Sequence, residues 1–202
     1  MGLGPCGLLT ARGITAVLLK YRVPVNKEGP YGESRAALQD AQRTLGLVRF
    51  RAAQWQIDPH KIGVIGFSAG GHLVAATSTR FDKRTYTAVD PADKESCRPD
   101  FAIALYPGHL WNDDTGFALN PDVHVTTHTP PTFLVQAEND PIDHVNNSVV
   151  YYVALKEAGV PVEMHLYAQG GHAFGLRHPE FAVAEWPRLV EKWLATIGMT
   201  SE

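Results

Sequence analysis

The sequence predicts an α/β protein, with a mostly parallel β-sheet and helices packed on both of its faces. Short apolar runs with the length of buried strands alternate with stretches in which apolar residues recur every three or four positions, as on one face of a helix. The 202 residues suit one compact domain, and no low-complexity linker divides them. We therefore expect a single domain over residues 1–202, and the alternation of strands with helices predicts that its sheet is parallel.

Five apolar runs are predicted to be the strands of this sheet. They are Ile14–Leu19, Ile62–Gly66, Phe101–Leu105, Thr132–Gln136 and Val162–Tyr167. The amphipathic stretches predict helices over Glu33–Gln56, from Gly71 to about Thr79, over Asn146–Ala158, and from about Pro187 to Ile197. The polar segment Arg80–Asp100 is expected to lie on the surface. The long connection of residues 106–131 is expected to be a functional loop or small cap.

Charge and apolar patterning argue against several classes of protein. The formal net charge is -3 and no dense run of Lys and Arg occurs, so we expect neither nucleic acid nor an acidic membrane surface as a partner. The longest apolar runs have about a third of the length that a membrane-spanning helix needs. Residues 1–9 lack the features of a signal peptide, so a cytoplasmic location is expected. Two cysteines, Cys6 and Cys97, make no disulfide framework.

Residues Gly66–Gly70 form the pattern G-x-S-x-G between a predicted strand and a predicted helix. The two glycines remove side chains that would collide where the strand turns sharply into the helix. Ser68 then projects its hydroxyl above the sheet edge, at the positive N-terminus of the helix. We interpret Ser68 as a nucleophile. The alternatives are a glycine-rich phosphate-binding turn and a turn that serves tight packing alone.

A serine hydroxyl needs an adjacent base, and the base needs an acid that orients it. Asp140 follows the fourth predicted strand, and His172 follows the fifth after two glycines that let the loop bend toward Ser68. Reactive groups of an open parallel sheet gather at the carboxyl ends of its strands, so these side chains are expected to meet. Asp143 and Glu138 are alternatives for the orienting acid.

The chain resembles the α/β-hydrolase superfamily, in which the order Ser, Asp, His along the chain is expected. Within it, the chain is similar to bacterial short-chain carboxylesterases of the acetyl-xylan-esterase-like and dienelactone-hydrolase-like kind. The matching segments are Gly13–Arg22, Gln39–Arg43, Ile57–Pro59, Gly66–Leu73, Arg98–Phe101, Thr129–Phe133, Asn147–Ser148, Ala158–Pro161 and Gly170–His172. The resemblance implies that Ser68 is the nucleophile, Asp140 the orienting acid and His172 the base.

The N-terminal region departs from this pattern. The oxyanion in this superfamily accepts one N–H from the residue after the serine, here Ala69, and one from a glycine-rich loop that is absent here. The resemblance therefore implies a reduced α/β-hydrolase fold, with the first strands missing and the second oxyanion donor unknown. Three explanations are open. One is that the chain is a fragment, and another is that a backbone N–H of Gly2, Gly4 or Gly7 replaces the missing oxyanion donor. The third is that a homo-oligomer covers the incomplete sheet.

The resemblance implies hydrolysis of short-chain acyl esters, acetyl to butyryl, including acetylated carbohydrate, through an acyl-enzyme and without a cofactor. Trp111 and Phe67 are expected to contact a small-molecule ester substrate, with a role as anchor of its own loop as the equal alternative for Trp111. The connection that contains Trp111 is too short for a lipase-like lid. His124 and His128 have the spacing of metal ligands, but no further ligand completes a site, so no metal is expected.

Two alternatives come from other functional classes. A serine peptidase of the prolyl-oligopeptidase kind has the same catalytic order along the chain, although such peptidases usually carry an additional propeller domain. A catalytically impaired α/β-hydrolase-like binding protein is the other, because half of the oxyanion hole is missing from the pattern.

Overall fold

Four parallel strands form the sheet that organises the part of the chain described by the computed structural model, residues 4–23, 35–112, 114 and 116–200. The strands of the described residues are β1 (Gly63–Phe67), β2 (Phe101–Leu105), β3 (Trp111–Asn112), β4 (Ala118–Leu119), β5 (Thr132–Ala137) and β6 (Val162–Tyr167). The main sheet has the order β1-β2-β5-β6, and β3 and β4 pair separately as a short antiparallel ribbon. The carboxyl ends of the four main strands therefore lie along one edge.

Helices pack on both faces of this sheet, as the sequence predicts. The helices of the described residues are α1 (Gly4–Thr10), α2 (Arg35–Phe50), α3 (Ala52–Trp55), α4 (Ala69–Thr79), α5 (Asn146–Glu157) and α6 (Trp186–Thr196). The predicted helices over 71–79, 146–158 and 187–197 are confirmed to within two residues at each end. None of the helices in the described ranges is long and apolar enough to cross a membrane.

Alternate residues of the central strands face opposite helices, because side chains of a strand point to the two faces in turn. Ile103 and Phe133 face α6 and belong to a cluster with its buried Trp186 and Trp193. Their chain neighbours point the other way and pack against α4 and α5. Those residues include Ala102, Ala104 and Leu134 on the strands and Val74, Ala75, Tyr151 and Leu155 on the helices. The sheet is thus buried on both faces, which confirms the predicted fold class.

The predicted helix over Glu33–Gln56 is divided in two. Its first two positions lie outside the described residues, α2 ends at Phe50, and Arg51 leaves helical geometry before α3 begins. The helix ends at Gln56, which adopts the left-handed conformation (φ 55°). The apolar positions Leu38, Ala41 and Leu45 on α2 are buried, whereas Trp55 on α3 is 37% exposed.

The expectation of a strand over Ile14–Leu19 is wrong. Residues 14–23 have no regular secondary structure, and within the described part of the chain no strand precedes β1. Leu18 is 84% exposed and Val17 is 50% exposed, whereas Ile14 packs against the cluster that contains α6. An apolar run becomes a strand only where a second strand satisfies its backbone N–H and C=O groups, and the described residues provide no such partner.

Candidate functional site

Ser68 occupies the sharp turn between β1 and α4. Its backbone has φ 53° and ψ -120°, a strained conformation for a residue with a side chain. A Cβ on Gly66 would collide with the backbone carbonyl of Gly70, so this close turn requires a glycine there. The Ser68 N–H donates to the Leu105 carbonyl at 3.0 Å, which fixes the turn to the end of β2. The strained turn thus presents the half-buried Ser68 side chain above the sheet edge.

Three of the predicted site residues form one hydrogen-bonded chain. His172 Nε2 lies 3.0 Å from Ser68 Oγ. On the other side of the ring, His172 Nδ1 lies 2.9 Å from Asp140 Oδ2 and 3.1 Å from Asp140 Oδ1. This is the geometry by which a carboxylate orients an imidazole and the imidazole accepts a serine proton.

A buried network holds Asp140 in place. Its side chain is fully buried, and its Oδ1 accepts the backbone N–H groups of Ile142 (2.9 Å) and Asp143 (3.0 Å). Gln136 Nε2 donates to Asp140 Oδ2 at 3.3 Å, and the Ser148 hydroxyl donates to Gln136 Oε1 at 3.0 Å. Gln136 and Ser148 are not indicated as site residues by the sequence motifs. The available signal was a glutamine inside an otherwise apolar strand, because such a buried amide needs partners.

The loop that carries His172 is attached to the loop that carries Asp140. Asn139 Oδ1 accepts the N–H groups of both Gly170 (3.1 Å) and Gly171 (2.9 Å). The ring of Tyr106 packs edge-on against the His172 imidazole, with 5.1 Å between the centroids. Burial raises the pKa of Tyr106 to about 12, so this ring stays neutral beside the imidazole. The two loops are therefore positioned together rather than independently.

The two alternative acids lie in different places. Glu138 is exposed, and its backbone N–H donates to Tyr167 at the end of β6. Asp143 instead reaches the nucleophile, because the Ser68 hydroxyl donates to its Oδ2 at 3.1 Å. The same oxygen lies 3.8 Å from His172 Nδ1. Burial raises the pKa of Asp143 above its ordinary value and outweighs the lowering effects of the Ser68 hydrogen bond and of His172.

Only one of the two expected oxyanion donors, the Ala69 N–H, is identified among the described residues. Ala69 is the first residue of α4, and the first N–H groups of a helix have no partner within the helix. Gly4 and Gly7 lie in α1, and the turn after α1 is joined to α6 by the ion pair of Arg12 with Glu191 (2.7 Å). Gly2 lies outside the described residues. The second oxyanion donor stays unassigned.

The two predicted substrate contacts have structural partners. Trp111 Nε1 donates to the Gly116 carbonyl at 2.7 Å, and the Trp111 ring packs against His144 with 4.9 Å between the centroids. Phe67 is half-buried beneath the site, against Tyr106 (5.9 Å) and Trp186 (6.1 Å). Their contact with a substrate stays a prediction. Among the described residues, no three His, Cys, Asp or Glu side chains are grouped so that they could hold a metal ion.

The family model of peptidase family S9, the prolyl oligopeptidase family, matches residues 38–199. Among solved structures, the chain is similar to the acetyl ester-xyloside bifunctional hydrolase of Caldicellulosiruptor lactoaceticus, with 36% identity and a TM-score of 0.83. That match covers 97% of this chain and 76% of the other.

Two curated relatives are also similar. The acetylxylan esterase of Xylanibacter ruminicola is 29% identical over 189 residues, which cover 83% of this chain and 36% of that protein. The endo-1,4-beta-xylanase B of Butyrivibrio fibrisolvens is 29% identical over 187 residues, which cover 84% of this chain and 29% of that protein. The chain thus spans about a third of the length of the curated relatives it matches.

Proposed function

Because the chain belongs to the prolyl oligopeptidase family of α/β-hydrolases, we propose that it is a serine hydrolase that cleaves carboxylic ester bonds of short acyl groups. The hydrogen-bonded chain from Ser68 through His172 to Asp140 is the observation that carries this proposal. A serine at a strained turn, an imidazole at 3.0 Å and a buried carboxylate behind it are the three parts that acyl transfer needs.

The proposed reaction has two halves. Ser68 Oγ attacks the ester carbonyl carbon while His172 Nε2 accepts the hydroxyl proton, and His172 then gives this proton to the departing alcohol. A water molecule attacks the resulting acyl-enzyme, and its proton passes through His172 back to Ser68 as the acid leaves. Asp140 stays ionised throughout, because it orients the ring and stabilises the imidazolium that forms in both halves.

The oxyanion of each tetrahedral intermediate would lie at the N-terminus of α4. There the Ala69 N–H donates to it, and the helix dipole favours the negative charge. One missing donor of this kind slows acyl transfer by a factor on the order of a hundred or more. The proposal therefore requires a second donor, which the described contacts do not identify.

Acetyl groups on carbohydrate are the substrate class that we propose. The similar proteins with 36% and 29% identity are described as an acetyl ester-xyloside bifunctional hydrolase and an acetylxylan esterase. The Trp111 ring, packed on His144 one residue after Asp143, provides a flat aromatic surface at the rim of the site. A chain length from acetyl to butyryl fits a rim formed by a connection that is too short for a lipase-like lid.

Activity on p-nitrophenyl acetate and on acetylated xylan tests this proposal. We expect hydrolysis by the wild type and a loss of at least about ten-thousandfold in kcat for Ser68→Ala. Ser78→Ala is the matched control, because it removes a buried hydroxyl from the same helix and should leave kcat unchanged. A fluorophosphonate probe should label the wild type and Ser78→Ala but not Ser68→Ala. Hydrolysis that survives in Ser68→Ala would contradict the proposal.

Acyl length is tested with the acetate, butyrate and palmitate p-nitrophenyl esters. We expect acetate and butyrate to be cleaved faster than palmitate. In its described residues, the connection after β2 contains the two-residue strands β3 and β4 and no α-helix that could cover a long acyl chain. Faster cleavage of the palmitate would contradict the proposed preference for short acyl groups.

The description of the matching family favours a peptidase as the second candidate. A proline-containing peptide p-nitroanilide distinguishes the two activities, since both would depend on Ser68. Faster turnover of the anilide than of p-nitrophenyl acetate would favour the peptidase.

A further inference from the structure

Ser68 has two hydrogen-bond acceptors for one proton. Its Oγ lies 3.0 Å from His172 Nε2 and 3.1 Å from Asp143 Oδ2. A hydroxyl donates one hydrogen bond only, and an ionised carboxylate is a stronger acceptor than a neutral imidazole. While Asp143 is ionised and has no other donor, the serine proton therefore points away from the base.

Asp143 is held in this position by its surroundings. Its backbone N–H donates to Asp140 Oδ1 at 3.0 Å, and its carbonyl accepts from Gln136 Nε2 at 2.9 Å. Gly108 lies directly behind the carboxylate, because a Cβ at that position would collide with Asp143 Oδ1. The carboxylate is thus fixed beside the nucleophile by the same turn that positions Asp140.

Asp143 has fewer hydrogen-bond donors than a carboxylate can accept. Asp140, His172 and the exposed His109 are the titratable groups that face it. In the described part of the chain, the Ser68 hydroxyl is its one side-chain hydrogen-bond donor, and no Arg or Lys pairs with it. Two carboxylate oxygens can accept about four hydrogen bonds. The raised pKa of Asp143, which burial causes, agrees with this shortage of donors.

Asp143 is nevertheless open to solvent on one side. Its side chain is 12% exposed, and its chain neighbours Ile142 and His144 are exposed. Because Asp143 Oδ2 lies 3.1 Å from Ser68 Oγ, an ester whose carbonyl carbon is attacked by Ser68 is close to this oxygen. A hydroxyl on the carbon next to the ester-bearing carbon would lie within reach of this oxygen.

We propose that Asp143 accepts a hydrogen bond from a hydroxyl group next to the scissile ester, and that it thereby selects esters of polyols over esters of simple alcohols. This inference rests on the proposed esterase function. The substrate hydroxyl replaces Ser68 as the donor to Asp143, and the serine proton then turns to His172 Nε2 at 3.0 Å. Substrate recognition and the activation of the nucleophile are coupled through one carboxylate.

Two acetate esters of equal size test this coupling. 2-Hydroxyethyl acetate and n-propyl acetate differ only by a hydroxyl in place of a methyl group. We expect kcat/KM of the wild type to be about ten- to a hundredfold higher for the hydroxyl ester, as for a hydrogen bond to a charged group.

Asp143→Ala should reduce this preference to within about threefold, and Asp143→Asn, which keeps a neutral acceptor, should give an intermediate value. The readout is the ratio of kcat/KM for the two esters within one variant, so a general change in the rate of an Asp143 variant leaves the test intact. Glu138→Gln is the matched control, since it removes an exposed carboxylate after the same strand and should keep the full preference.

The outcomes separate the two proposals. Hydrolysis that depends on Ser68 but shows no preference for the hydroxyl ester overturns the inference alone, as does a preference that survives in Asp143→Ala. Absence of hydrolysis of both esters by the wild type overturns the proposed function and, with it, this inference. If the Asp143 variants do not fold, two measurements on the wild type decide the inference. A preference for the hydroxyl ester and stronger inhibition by ethylene glycol than by 1-propanol support it, and the absence of either result overturns it.

Discussion

Asp93 and Asp143 are both largely buried carboxylates, and they have opposite surroundings. The Asp93 side chain is fully buried in the 80–100 segment, where it accepts from the Tyr86 hydroxyl (2.6 Å) and the Val89 N–H (2.8 Å) and pairs with Arg43 (3.0 Å). Burial alone would raise the pKa of Asp93, but these partners lower it well below its ordinary value. Asp143 has Ser68 as its described side-chain donor, and burial raises its pKa.

This difference separates a structural carboxylate from one that is available to a ligand. A buried charge whose hydrogen-bonding capacity is filled by the protein stabilises the fold and has nothing left to bind. A buried charge that lacks donors destabilises the folded state, and such groups occur at functional sites. Asp140 lies in the same turn as Asp143 but resembles Asp93, because the protein supplies donors to both of its oxygens. These donors are the N–H groups of Ile142 and Asp143 and the ring of His172.

Asp140→Asn is expected to have the largest effect, a decrease in kcat of about a thousandfold or more on p-nitrophenyl acetate. The amide keeps the shape of the side chain but no longer fixes the His172 tautomer or stabilises the imidazolium. Steady-state kinetics measure the loss, and urea unfolding checks that the variant folds. A loss of less than about tenfold would show that Asp143, 3.8 Å from His172 Nδ1, replaces Asp140.

Asp93→Asn is expected to lower the free energy of unfolding by about 2 kcal/mol and to leave kcat unchanged. Removal of one partner of a deeply buried ion pair costs about 3–5 kcal/mol, but Arg43 is partly exposed and water screens part of this interaction. Urea unfolding at pH 7 measures the change, with the exposed Asp82→Asn as control.

The pH dependence sharpens this prediction. Because the pKa of Asp93 is lower in the folded state, its contribution is present above the ordinary aspartate value and is lost as the pH falls through the folded value. The difference in stability between the wild type and Asp93→Asn should therefore shrink on acidification below about pH 4. A difference that grows on acidification would contradict the ion-pair explanation.

The sequence predicts the parts of the site that depend on local pattern. Ser68 is marked by the glycines around it, and Asp140 and His172 by their positions after strands, so their common location follows from the topology of a parallel sheet. The strands Phe101–Leu105 and Val162–Tyr167 are identifiable for the same reason, because they are short apolar or alternating runs between turn residues.

What depends on distant partners could not be predicted in the same way. The difference between Asp93 and Asp143 is made by Arg43, Tyr86 and Ser68, whose contacts with them result from folding. The segment Ile14–Leu19 does not form a strand for a related reason. A strand needs a second segment that pairs with its backbone, and no described segment pairs with residues 14–19. A polar segment such as Arg80–Asp100 likewise gave no sign that Asp93 would be buried within it.

Asp143→Asn is expected to have the smallest effect on stability and the opposite sign to Asp93→Asn. Because the pKa of Asp143 is higher in the folded state, its ionisation destabilises the fold as the pH rises from the ordinary aspartate value through the folded value. Removal of the charge should therefore raise the free energy of unfolding at pH 7, and the gain should be small because the partly exposed carboxylate is screened by water. This gain should vanish below about pH 4. Urea unfolding between pH 4 and 8 measures it, and an Asp143→Asn variant less stable than the wild type at pH 7 would show that Ser68 satisfies Asp143 as fully as Arg43 and Tyr86 satisfy Asp93.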